Sequence, residues 1–515
     1  MTEKLKVFSK NYWILVLMLV IKMILQYLLI NPVYELHRDE FLYLDQGEHP
    51  AFGYISVPPF MAMISKIVYL FGGGLFWIRF FPALFGALTI LFVWLIIESA
   101  GGGLYAKILG SAALLFSTLA RINILYQPNS FDILSWTIIF YFLIRLFQTN
   151  EHKWLWYLAV IIALGLYNKY NVIFLIAGLA AGLALTKERR IFTRFAFWKA
   201  LILSLLILSP NIIWQITHHF PVFQHMKVLK ANQLDNNSAS DFLKSQVMFF
   251  FGSLPLTLLA LASFIFYKPF RQYRFAGISF VTVITLFAAM KAKGYYSVGI
   301  YPVMFAFGSV YIESILSNTW KKIVVPVLVG LNLAVFIFTI RVVYPIYGPA
   351  EIRAHADKFE ALGLLRWEDG KNHILPQDFA DMLGWKEMAA RAAEAYKSLP
   401  PQELGNTLII CNNYGQAGAL NYYNRGKMPE AYAFNTDYIY WIPRLGKIKN
   451  IVLVGRKPND AIVGAFKSFR QTGSVENPMA REFNTQVFLM EGANDAFTAV
   501  FYNLVAERIN KLDIF

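Results

Sequence analysis

The sequence predicts a polytopic α-helical membrane protein with a C-terminal α/β domain. Three observations carry that expectation. The 515 residues are 57% hydrophobic and 15% charged, a balance foreign to water-soluble domains of this length. Apolar runs of about 20 residues recur up to residue 345, each long enough to cross a bilayer as a helix. Beyond 345 the pattern changes to short β-like runs alternating with amphipathic stretches.

Eleven spans are expected, at 12–32, 76–97, 104–120, 131–147, 154–167, 171–186, 200–217, 244–267, 275–290, 297–316 and 323–344. The first has too long an apolar core and too few small residues after it for a cleaved signal peptide. Positive charge orients the set. The basic stretch 1–10, "KERRIFTRFAFWK" (187–199), "KPFRQYR" (268–274) and Lys321-Lys322 all fall on one side of an eleven-span chain. Cationic loops stay in the cytoplasm. The N-terminus is therefore expected inside. Residues 33–75, 121–130, 218–243, 291–296 and the chain after 345 are expected outside. The short pair 154–167 and 171–186 also reads as broken helices or a re-entrant hairpin.

Two domains follow: 1–345, a membrane domain whose first outer loop is 33–75, and 346–515, a soluble domain. Residues 1–345 hold 28 Lys+Arg against 13 Asp+Glu, whereas 346–515 hold 19 of each. The positive excess thus belongs to the membrane half and serves topology and membrane lipids; no basic stripe with interleaved aromatics suggests a nucleic-acid partner. The single cysteine, Cys411, excludes an internal disulfide. In the soluble half "PQDFADMLGWKEMAARAAEAYKSL" reads as one amphipathic helix before Pro400-Pro401. "NTLIIC", "NIVLVG" and "QVFLME" read as strands of a partly parallel sheet, and 496–511 as a last helix. "NNYGQAGALNYY" reads as a tight strand-to-helix turn, with an anion cradle as the alternative.

The first outer loop concentrates acids. Glu35, Asp39, Glu40, Asp45 and Glu48 are five of the thirteen in the membrane half. Adjacent residues diverge by about 100° on a helix, so Asp39 and Glu40 have different jobs. One can face a cavity as a general base while the other caps a helix or pairs with Arg38. Solvated capping is the bland alternative for both. Part of 38–48 can lie on the membrane as an amphipathic helix with Phe41, Leu42 and Leu44 as its apolar face. His37 and His49 stand near these acids, so a divalent metal is conceivable, yet the spacing matches no compact ligand motif. No metal ligand is assigned. Tyr54, Pro58 and Pro59 shape the re-entry into the membrane.

Three further polar groups lie at the outer ends of spans: Asp132; Asn168, Lys169 and Asn171; and Lys291, Lys293, Tyr295 and Tyr296. Ionisable residues at membrane depth are costly and mark function, although lysines there also snorkel. Acids and lysines on the outer side of the lipid boundary suit transfer from a lipid-linked phosphosugar. A carboxylate takes the proton of the attacking hydroxyl and cations stabilise the departing phosphate. A flippase or transporter of lipid-linked sugars is the alternative. It would place its charges near the midplane of two repeated halves. The soluble half can also serve as a carbohydrate- or partner-binding module.

The order "RDE-x-x-Y … GY-x-x-x-PPF", "SxDxLSW", "LGLYNKYNVIFL … LTKERR", "PNIIWQITHHFPVFQ" and "KGYYSVGIYPVMFAFG" resembles bacterial membrane glycosyltransferases of the C-type fold. The protein mannosyltransferases and the aminoarabinose transferases that modify lipid A are the nearer kin. The resemblance implies a polyprenyl-phosphate sugar donor, a lipid, glycan or protein acceptor, and a place in the bacterial inner membrane. It implies Asp39 as the general base, with Glu40 orienting or replacing it. Arg38, Lys169, Lys293, Tyr295 and Tyr296 would hold the donor phosphate. His49, Tyr54, Pro58, Pro59 and Asp132 would line the substrate pocket. Some relatives carry a basic residue just before the Pro-Pro pair, where this chain has Ser56-Val57.

Overall fold

The computed structural model describes residues 2–232 and 237–511. The side chains of the basic stretch 2–10 lie outside the described set, as do residues 233–236 of the loop expected at 218–243. All eleven apolar segments fall on helix. Six of these helices are long and apolar enough to cross a membrane, among them Leu75–Ser99, Asn129–Thr149 and Asn318–Val343. A seventh crossing exists if Ala239–Phe249 and Leu254–Phe266 count as one span; they meet at 103°. Ser253 precedes that second helix and proline occupies its first turn, where a missing N–H costs nothing. The other four, Tyr12–Leu28, Leu104–Leu115, Lys153–Asn168 and Val172–Ala184, are shorter. Among the described residues, helix length and composition by themselves support six or seven of the eleven expected crossings; Tyr12–Leu28 is part of a helix that starts at Thr2. The fifth and sixth segments are separate helices, broken at Lys169–Asn171.

The chain forms two compact units, and their boundary differs from a single cut at 345/346. One comprises 1–30, 73–214 and 233–346; the other comprises 31–72, 215–232 and 347–515. The segment 31–72, expected as the first outer loop, therefore folds with the C-terminal half.

In this second unit a five-stranded sheet runs β2-β1-β3-β5-β4. The strands are β1 (Thr407–Cys411), β2 (Ala431–Ala433), β3 (Asn450–Gly455), β4 (Phe466–Ser474) and β5 (Gln486–Ala493). β1 pairs in parallel with β2 and β3, whereas β5 is antiparallel to β3 and β4. The three strands expected from sequence are present and the sheet is mixed. β1 is buried along its whole length, as a continuous apolar run inside a parallel ladder should be. The sequence reading passed over β4 because it is an edge strand. It exposes Lys467 and Arg470 and carries a bulge between Gln471 and Gly473. Ile55 of the outer loop joins the sheet's apolar core beside Leu408, Ile410, Tyr432 and Ile439.

The single amphipathic helix expected over 376–399 is divided. A short turn, Gln377–Ala380, gives way to the helix Trp385–Lys397. Gly384 separates them at φ +84°, a left-handed conformation that interrupts helix and that glycine tolerates best. The main helix buries Trp385, Met388, Ala389, Ala392 and Tyr396 on one face.

Candidate active site

The second unit holds the acidic loop. His37, Arg38 and Glu40 build the start of the helix Arg38–Glu48 through a capping box. The Asp39 N–H donates to His37 Nδ1 at 3.2 Å, and the His37 N–H donates to Glu40 Oε2 at 2.6 Å. Glu40 is fully buried in this role. The helix does not present a free apolar face, because Phe41, Leu42 and Leu44 are all buried within the unit.

The segment before the helix is pinned to the turn 377–384. The Glu35 N–H donates to the Met382 carbonyl at 2.8 Å and the Arg38 N–H to the Asp381 carbonyl at 3.1 Å. Asp381 is buried, receives the Arg481 guanidinium at 3.0 Å and lies 3.6 Å from His37 Nε2. These anchors leave Asp39 at the helix start with its side chain 30% exposed. The Tyr414 hydroxyl donates to Asp39 Oδ1 at 2.7 Å, and Arg38 Nε lies 3.7 Å from the same oxygen. The Arg38 guanidinium sits 5.0 Å from the centroid of the Tyr414 ring. Burial above all, with Asp39 beside it, holds the Tyr414 phenol well above its usual pKa, so it remains a donor.

Tyr414 is placed by close packing. It opens the helix Tyr414–Tyr423, capped by the Asn413 side chain. On that helix Gly415 faces Arg38 and Gly418 faces Phe41, and a Cβ at Gly418 would meet Phe41 Cβ at 2.7 Å. The Gly415-x-x-Gly418 spacing therefore serves helix-to-helix approach.

Farther along the loop helix, Asp45 is buried and accepts from Asn421 Nδ2 and the Tyr438 hydroxyl, both at 2.7 Å. Burial outweighs these bonds and pushes its carboxyl up to about 7. Asp437, likewise raised by burial to about 6, accepts from the Ile55 N–H at 2.6 Å and from Gln46 at 2.9 Å. The Tyr54 hydroxyl is buried and donates to the Gln46 and His49 carbonyls, closing the loop. His49 stacks on Trp441 at 4.2 Å with Nε2 3.2 Å from Glu430. Pro59 precedes the helix Phe60–Leu70 and accepts from the Met63 N–H. Among the described residues no three His, Cys, Asp or Glu side chains are placed to share a metal ion.

The first unit assembles its own cluster. Lys169 ends the helix Lys153–Asn168 and donates to Asn129 Oδ1 at 2.8 Å. Its Nζ lies 4.6 Å from the Tyr296 ring centroid and 5.3 Å from that of Tyr295. Asn171 Nδ2 donates to Asp132 Oδ2 at 2.9 Å and to the Tyr296 carbonyl at 2.8 Å. Trp136 Nε1 donates to Asp132 Oδ1 at 2.9 Å. Lys293 precedes the 3-10 turn Gly294–Ile300 that carries both tyrosines. Lys169, Asp132, Tyr295 and Tyr296, far apart in sequence, are thus neighbours.

Sequence reasoning missed Tyr414, Asp381 and Arg481, which position the start of the loop helix, and Asn421 and Tyr438, which hold Asp45. The small-residue spacing in "YGQAGALNYY" was the available signal.

Residues 56–214 match the family model of the dolichyl-phosphate-mannose-protein mannosyltransferases. That stretch contains Pro58, Pro59, Asp132 and Lys169 but begins after Asp39. No curated protein matches the chain. The fold is similar to that of ArnT from Cupriavidus metallidurans, seen bound to undecaprenyl phosphate and in the apo state. In both cases the TM-score is 0.59 and the identity 14%, over 93% of this chain and 98% of that one. It is also similar to the oligosaccharyltransferase AglB from Archaeoglobus fulgidus, in complex with an inhibitory peptide and a dolichol-phosphate. There the TM-score is 0.50 and the identity 11%, over 86% of this chain and 70% of that one. The resemblance read from the motif order is thereby upheld: part of the chain matches the mannosyltransferase family model, and the fold is similar to those of ArnT and AglB.

Proposed function

We propose that the chain is a membrane glycosyltransferase that moves a monosaccharide from a polyprenyl-phosphate donor to an extracytoplasmic acceptor, a glycolipid, polysaccharide or protein. The observation that carries this reading is the mannosyltransferase family match over 56–214, which spans Asp132 and Lys169. Two similar folds, seen with undecaprenyl phosphate and dolichol-phosphate, support a lipid-phosphate ligand.

In this reading the acceptor hydroxyl attacks the anomeric carbon as the bond from that carbon to the phosphate oxygen breaks. Asp39 takes the hydroxyl proton. It is the acid of the Asp39–Glu40 pair whose carboxylate keeps partial exposure, and the Tyr414 hydroxyl donates to it. Glu40 supports it indirectly, as the cap of the helix that carries it. The departing phosphate carries the charge that Lys169 and Lys293 offset, while Tyr295 and Tyr296 offer hydroxyl donors. Arg38, drawn to Asp39 and Tyr414, belongs with the base.

The test uses the purified chain with a panel of polyprenyl-phosphate monosaccharides and measures release of polyprenyl phosphate. Asp39→Asn should reduce turnover at least ~10³-fold with folding unchanged. Near-normal turnover in that variant would refute the assignment.

A further inference from the structure

A cavity of about 230 Å³ opens within the second unit, away from the contacts that Asp39 makes. Its walls come from the loop helix (Asp45, Glu48), the helix Phe60–Leu70 (Tyr69), the end of the helix Tyr414–Tyr423 (Asn421) and the loop after it (Arg425, Glu430). A cavity of roughly 150 Å³ already admits a six-membered ring, so this one has room for a single sugar ring.

The walls are framed. Asn424 Nδ2 donates to the Ala389 carbonyl at 2.9 Å, and the Ala431 N–H donates to Asn421 Oδ1 at 2.6 Å. The intervening loop is tied by Arg425, which donates to Glu48 at 2.9 Å and lies 3.9 Å from the Tyr69 ring centroid. The carboxylates and asparagine amides among the lining residues can accept from and donate to ring hydroxyls. The charge balance selects further. The carboxylates of Glu48 and Glu430 line the cavity, with the partly protonated Asp45 beside them, against one guanidinium, which Glu48 already engages. An anionic ligand meets net repulsion there.

We propose that this cavity binds an uncharged saccharide ring, a recognition site separate from the carboxylate assigned to proton transfer. The inference rests on the cavity and holds whichever reaction the chain catalyses. Asp45 strengthens it, because burial holds its carboxyl up to about 7, so that near neutrality it offers both a donor and an acceptor to hydroxyls.

The experiment is saturation-transfer NMR on the full chain in a sugar-free detergent. The probes are neutral pentoses, hexoses and N-acetylhexosamines against glucuronate and hexose 1-phosphate. At least one neutral sugar should give a signal and the anionic sugars none. Met428→Trp, which fills the cavity, should weaken that signal at least tenfold with the melting temperature preserved. Glu48→Gln, which keeps shape and lowers the negative charge, should narrow the advantage of the neutral sugar over glucuronate. Three results would overturn the proposal: no signal from any neutral sugar, a preference for the anionic sugars, or a neutral-sugar signal unchanged in Met428→Trp.

Discussion

The two compact units treat polar and apolar residues in opposite ways. The helix Asn318–Val343 has a mean hydropathy of 2.6 yet is 17% buried, and Phe338 is 86% exposed. Lipid is the solvent such a surface suits, and it offers no hydrogen bonds. Polar side chains of that unit are accordingly paired among themselves, as Lys169, Asn129, Asp132 and Asn171 are. In the second unit buried carboxylates are held across long stretches of chain: Asp45 by Tyr438, Asp381 by Arg481 and Asp437 by Ile55. A buried carboxylate therefore has different meanings in the two places. Asp132 sits among the groups that hold Lys169, whereas Asp45 and Asp381 fasten an N-terminal loop to a C-terminal domain.

The largest effect expected is the loss of turnover in Asp39→Asn, which would place the proton transfer in the second unit. Lys169→Met should come next, lowering turnover about 10²-fold through loss of charge stabilisation. If its turnover equals wild type, the cluster around Lys169 is structural and the division of labour between the units fails. Tyr414→Phe should be milder, roughly tenfold. It removes the hydroxyl that donates to Asp39 Oδ1, so the loss should appear in kcat rather than KM. An unchanged kcat would mean that Tyr414 only packs.

The smallest effect is on stability. Asp45 has its folded pKa raised to about 7, above the unfolded value of roughly 3.9. A raised carboxyl binds its proton more tightly when folded. Its contribution is full below about pH 4 and is lost as pH rises through about 7. The melting temperature of wild type should therefore fall between about pH 4 and 7 relative to Asp45→Asn, in which that slope is absent. Parallel curves for the two proteins would remove Asp45 from the set of buried neutral acids.

Much of this was legible in the sequence. Each of the eleven apolar segments lies on helix, because hydrophobic run length and helix formation are both local properties. The partly parallel sheet was legible for the same reason, except β2, which is only three residues long, and β4, whose charged edge hides its period. The divergence of Asp39 and Glu40 was legible from helix geometry, and it resolves into a partly exposed carboxylate and a buried cap.

What one chain of residues could determine by itself was therefore its solvent: long apolar runs for lipid, alternating patterns for water, and a cluster of acids between them. Only the tertiary structure decided that the acidic loop folds with residues 347–515, that Ile55 enters their core, and that Tyr414 donates to Asp39. Those partners lie hundreds of residues apart. No local propensity encodes such a pairing; it follows from which apolar faces and buried polar groups satisfy one another once the chain is compact.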